Sequence, residues 1–148
     1  MSPGKADVGR RVIAYFFDVI IAWVPSLIFF PVPPLGQLLG AAYLLLRDAL
    51  VYELTKVESW RGKSVGKRLV NLEVVALDGE RLTWERSAKR NLPLALGSIA
   101  LWLPPLLREL LTLAAAALIL MEFVLVLSDP RGRRLGDKWA NTEVAVLD

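Results

Sequence analysis

Between Arg10 and Phe30 the sequence reads RRVIAYFFDVIIAWVPSLIFF, and after the two arginines nineteen residues pass with Asp18 as their only charge. Coiled as an α-helix at about 1.5 Å per residue, they reach about 28 Å, close to the hydrocarbon thickness of a bilayer. A carboxylate in the middle of such a helix is expensive unless it has a partner or a task. Arg11 and Asp18 are seven residues apart, which places them on one helical face about two turns from each other. Whatever this chain folds into must satisfy a charge inside an apolar span. A cleaved signal peptide is disfavoured, because Asp18 interrupts the apolar run and PVPPLGQ follows it in place of a small-residue cleavage site.

The other apolar residues also come in runs instead of amphipathic stripes, and apolar residues in all make up 55% of the 148. One membrane domain over residues 1–148 accounts for the length. The fold expected is an all-α membrane protein with four transmembrane helices, at about 11–30, 35–55, 87–103 and 106–127, the last two divided at Pro104–Pro105. Pro25 should kink the first. The third is short in apolar residues, so a re-entrant segment over 87–103 is an alternative to a full span. A cytoplasmic insert (56–86) and tail (128–148) carry the polar residues. VNLEVVAL (70–77) and the segment 141–147 of NTEVAVLD read as two strands of a small cytoplasmic sheet. Thr83 reads as an N-cap. No internal repeat stands out beyond the AAAA at 114–117.

Basic residues set the orientation. Sixteen of the eighteen Lys and Arg fall in the first eleven residues, in 56–91 or in 131–138, leaving Arg47 inside a helix and Arg108 opposite. Both termini are therefore expected in the cytoplasm. Lys63, Lys67, Arg68, Arg131, Arg133 and Arg134 are expected to form a basic face at the lipid headgroups. GKSVGK (62–67) is not a phosphate loop, since Val57 and Arg61 stand where its leading glycine is needed.

The chain has no Cys and no His, which removes thiol chemistry, disulfides, the usual zinc sites and His-based catalysis. Neither a metal nor a cofactor is implied, no nucleophile–base pair is visible, and the chain reads as no enzyme and no nucleic-acid binder. Its chemistry lies within the helices. Counted from their cytoplasmic ends, Asp18, Arg47, Asp48 and Glu122 all lie about 9–12 Å deep. Asp18 and Arg47 are expected to pair. Three carboxylates against one guanidinium would leave an acid to be neutralised by a proton or a bound cation, or by a structural network. Asp137 is expected to pair with a basic side chain from residues 10–11 or 61–68, clamping the tail beneath the helices.

The blocks RVIAYFFD (11–18), GKSVGKRLVNLEVV (62–75) and DPRGRRLGDKWANTEVAV (129–146) resemble the signature blocks of the RDD family of small bacterial membrane proteins. The resemblance implies that the defining arginine and two aspartates are Arg11, Asp18 and Asp137, and it implies transport in general terms, with cation or proton antiport proposed for some members. The functional expectation is thus a plasma-membrane transporter or antiporter subunit moving a monovalent cation or proton, working as a homo-oligomer. The alternative is a non-transporting anchor that binds a partner or anionic lipid through its basic cytoplasmic face.

Overall fold

The computed structural model describes residues 7–147, so Lys5 and the first residues of the basic tail, together with Asp148, lie outside the described residues. The first helix, α1, runs Val8–Ile28 and is capped by the Asp7 side chain, which accepts from the Arg10 amide at 3.1 Å. It starts three residues earlier than expected because that cap sets its first turn. Pro33 and Pro34 open α2 (Pro33–Thr55), where missing amide hydrogens cost nothing. Thr83 caps α4 (Trp84–Ala100), and Pro104–Pro105 separates it from α5 (Pro105–Ser128). Of these helices, α1 and α5 are long and apolar enough to cross a membrane by length and composition.

Two five-residue helices were not expected. The first, α3 (Val65–Leu69), lies in the GKSVGK segment, and the second, α6 (Leu135–Trp139), lies in the tail. Each leads into a strand, β1 (Leu72–Ala76) or β2 (Thr142–Val146), and the strands pair antiparallel as a two-stranded sheet.

Two long helices, a five-residue helix and a strand thus occur twice in the same order. The halves align without a gap from Gly62 to Ala76 and from Gly132 to Val146, with Gly62/Gly132, Gly66/Gly136, Asn71/Asn141, Glu73/Glu143 and Val74/Val144 identical. Backbone geometry repeats as well. The φ angle is 64° at Gly62 and 63° at Gly132, and 54° at both Asn71 and Asn141. The Leu77 amide donates to Asn141 O at 3.0 Å, and its counterpart, the Leu147 amide, donates to Asn71 O at 2.9 Å. In the ladder Val74 faces Val144, its own equivalent, so a local two-fold axis passes between them. The chain is an internal duplication, which corrects the sequence reading of no repeat.

The long helices pack in succession, α1 on α2, α2 on α4 and α4 on α5. What they bury is small or charged. The buried apolar residues of the helices are Ala14, Ala22, Ala41, Ala49, Ala95, Ala100 and Ala115 with Tyr52 and Val126, whereas Leu27 is 75% exposed and Leu113 69% exposed. Gly36 and Gly40, one turn apart, let α2 approach α1 so closely that a Cβ at either would collide with the backbone at Ser26 or Ala22. Small residues between helices, charges inside and large apolar side chains outside are the arrangement a bilayer favours.

Candidate functional site

Asp18 lies on α1 with no exposed surface. It accepts hydrogen bonds from Tyr43 Oη at 3.0 Å, Ser64 Oγ at 2.7 Å and the Gly66 amide at 2.9 Å, and Arg47 Nη1 lies 3.3 Å from its Oδ2. The expected Asp18–Arg47 contact therefore forms. Three further donors share the carboxylate, two of them from the first turn of α3. Gly66 is required there, since a Cβ would strike the Ala14 carbonyl.

Next along α2, Asp48 binds Lys67 Nζ, accepts from Asn91 Nδ2 at 3.0 Å, and lies 3.5 Å from Arg90 Nε. Asn91 also ties back to Arg47, accepting from its Nη2 at 3.2 Å. Arg90 continues the chain of contacts by donating from Nη2 to Asp137 Oδ1 at 2.6 Å. Asp137 Oδ2 accepts from the Arg134 amide at 3.1 Å, capping α6, and lies 3.7 Å from Arg11 Nη1. Glu122 accepts from the Gly136 amide at 3.0 Å, with Arg134 Nε 3.8 Å from its Oε2. One continuous polar network thus runs from Asp18 to Glu122.

Its centre follows the duplication. Lys67 and Asp137 occupy equivalent third positions of α3 and α6 with opposite charge. Both are buried, and they meet the Asp48–Arg90 pair from its two ends. Arg11 breaks the symmetry. In the first half Gly62 O accepts from the Val74 amide at 2.8 Å. In the second half Gly132 O instead accepts from Arg11 Nη1, also at 2.8 Å.

Two members of the expected headgroup face belong to this network, and their assignment is corrected. Lys67 is turned inward onto Asp48, and Arg134 reaches Glu122 and Asp137. The others do lie outward or half-buried. Arg131 is exposed, Arg68 stacks 4.0 Å over the Trp60 ring, Lys63 lies 3.5 Å from Glu73, and Arg133 lies 3.5 Å from Asp129. The clamp on Asp137 includes Arg11 as expected, but its shortest contact is to Arg90. Neither Arg90 nor Asn91 was among the sequence candidates, because both sit at the polar start of the third expected helix, outside its apolar run.

The expectation of excess acid is also revised. Arg11, Arg47, Lys67, Arg90 and Arg134 face Asp18, Asp48, Glu122 and Asp137, so the network has one positive charge over. Burial pushes Lys67 down to about 8, with Asp48 opposing the shift. Burial would raise Asp137, but Arg90 and then Arg134 outweigh it and bring the carboxyl down to about 2. Arg134 is lowered by burial and raised more by Asp137 and Glu122, for a net rise.

A cavity of about 180 Å³ borders this network. Arg11, Arg47 and Arg90 line it with Asp18 and Glu122, and Val12 of α1 and Ile119 and Phe123 of α5 form its apolar side. Among the described residues, Arg90 Nη1, Arg47 Nε and Arg11 Nε are buried without a hydrogen-bond acceptor, and Glu122 Oε2 without a donor.

A family model described as the RDD family matches residues 5–141. The chain belongs to the RDD family. That family typically consists of small membrane proteins, in keeping with the two apolar helices and the inverted distribution of charge. Of the three residues that the RDD resemblance singles out, Arg11 and Asp137 meet at 3.7 Å. Asp18 sits at the opposite end of the same network. No curated protein and no solved structure matches the chain.

Proposed function

We propose that this RDD protein is a multi-pass protein of the bacterial plasma membrane, with α1, α2, α4 and α5 in the bilayer and both termini cytoplasmic. Its buried ionic centre holds or passes a small charged species, and the chain acts by binding, not catalysis. Cation or proton antiport would follow from unopposed carboxylates. The observation that carries the present reading is the opposite one: five cationic side chains meet four carboxylates, and several buried guanidinium N–H groups lack acceptors. A buried donor without an acceptor costs about 1–3 kcal/mol, more when charged, and a bound anion that reached those groups would recover that loss. The species favoured is an anion.

Proton transfer is the second reading, favoured by Glu122, which lines the cavity and whose buried Oε2 has no donor bonded to it. Titration calorimetry on the protein in phosphatidylcholine nanodiscs separates the two. The anion reading expects saturable binding of inorganic phosphate, weakened about tenfold or more in Arg47→Gln, and no saturable Na⁺ binding. Saturable Na⁺ binding that disappears in Asp18→Asn would restore the cation reading. Collapse of an imposed pH gradient in proteoliposomes, abolished by Glu122→Gln, would support proton transfer.

A further inference from the structure

The local two-fold axis exchanges α1 with α4 and α2 with α5, for α3 packs on α1 at Ala14 as α6 packs on α4 at Arg90. Under that exchange the packing of α2 on α4 should recur as α5 on α1. It does not. Among the described residues no comparable packing joins α5 to α1, and the cavity lies where it would be. The reason lies in two positions. Ser87 and Asn91 fasten α4 to α2, both donating to Leu45 O, at 3.1 and 3.2 Å. Counted from Ala14 and Arg90, their counterparts on α1 are Arg11 and Tyr15. Arg11 donates to Gly132 O at 2.8 Å, and the centroid of the Tyr15 ring lies 5.1 Å from Arg47 Cζ. These side chains serve the tail and α2 instead of α5.

The gap left between α1 and α5 is lined almost wholly by apolar surface. Val12, Ile119 and Phe123 line it and are about half exposed, so with α1 and α5 in the bilayer its mouth opens sideways onto hydrocarbon. Leu94 of α4 lines it from behind. The charged residues of that wall turn their polar atoms onto one another, Arg47 onto Asp18 and Arg90 onto Asp137, and present their methylene stems. We infer that the gap holds the end of a phospholipid acyl chain, which enters between Val12 and Ile119 and takes the place of the missing helix contact. This rests on the bilayer placement of α1 and α5 proposed above and is independent of the anion reading. An apolar cavity of about 150 Å³ stays dry and takes up benzene, a guest of about six carbons. The gap, at about 180 Å³, therefore has room for about six or seven carbons of a chain. A further helix, about 10 Å across, does not fit. The chain supplies contacts that a void lacks, and it keeps water off the ion pairs behind it, which a low dielectric strengthens. The site thus selects hydrocarbon and is indifferent to the headgroup.

The test uses the full chain in nanodiscs of phosphatidylcholine that carries a photoreactive diazirine near the end of one acyl chain, with the adducts mapped by peptide mass spectrometry. Adducts are expected at Leu94 and Tyr15, which line the gap, beside those at Phe16 and Leu120 on the outer faces of α1 and α5. Ile119→Trp fills the mouth from α5 and Val12→Trp fills it from α1, neither touching a charge. Each should remove most of the adducts at Leu94 and Tyr15 and leave those at Phe16 and Leu120. Adducts confined to the outer faces would overturn the proposal and leave the bilayer placement standing. Adducts at Leu94 and Tyr15 that survive both variants would overturn entry between α1 and α5. If neither α1 nor α5 carries an adduct, the bilayer placement falls, and the proposal with it.

Discussion

Asp137 shows what a single side chain does in this network. Its carboxyl is fully buried, yet Arg90 and Arg134 hold it down at about 2, below the ordinary 3.8, against the opposing effect of burial. For a carboxylate whose folded value is the lower one, the unfolded chain takes up protons first as pH falls. The stabilisation is therefore complete above about pH 4 and is lost between there and pH 2. Its size is about 2 kcal/mol. Unfolding free energies measured in detergent between pH 6 and pH 2 should show this drop, and Asp137→Asn should flatten it, with stability lowered at pH 6 and the difference from the parent shrinking towards pH 2. An unchanged slope in the variant would place the titrating group elsewhere. The Asp18–Arg47 contact was legible in the sequence because equal depth and opposite sign on neighbouring helices follow from topology alone. Arg90 was not legible. It stands in a run of basic residues whose other members, Arg86 and Lys89, do reach solvent, and the packing of α2 and α6 against α4 encloses it.

At the scale of elements, the long helices could be read from their apolar runs and proline boundaries, and the two strands from their β-branched residues. The five-residue helices could not. Helices that short are unstable alone, and α3 and α6 persist because their first turns are held by Asp18 and Glu122 through the Gly66 and Gly136 amides. Those glycines carry the fit, because a Cβ on Gly66 would collide with the Ala14 carbonyl and one on Gly136 with the Arg90 carbonyl. Gly66→Ala and Gly136→Ala should each cost about 1–3 kcal/mol or more. Gly97→Ala, whose Cβ would meet only Ala115 Cβ at 3.9 Å, should be neutral or stabilising. Equal effects at all three sites in detergent unfolding would remove the close approach from the account. The duplication escaped the sequence reading for a related reason. It survives in a short motif of glycines, asparagines and strand residues, while the long helices keep only their apolar character, which any two spans share.

For the molecule as a whole, the apolar surface and charged interior make sense around one membrane-embedded centre shared by two side-by-side repeats. Length and apolarity mark α1 and α5 as candidate spans, whereas α2 is less apolar and α4, at 17 residues, is both shorter and more polar. The account therefore stands on the α4–α5 hairpin entering the bilayer in the same sense as α1–α2, with the sheet in the cytoplasm. Because the chain has no cysteine, single cysteines can be placed at Val32 between α1 and α2, at Trp102 between α4 and α5, and at Glu80 beyond β1. All three positions are exposed. Labelling intact cells with a membrane-impermeant maleimide should modify Val32→Cys and Trp102→Cys from outside, and Glu80→Cys only after permeabilisation. Labelling at Trp102→Cys only after permeabilisation, or at Glu80→Cys in intact cells, would contradict the account.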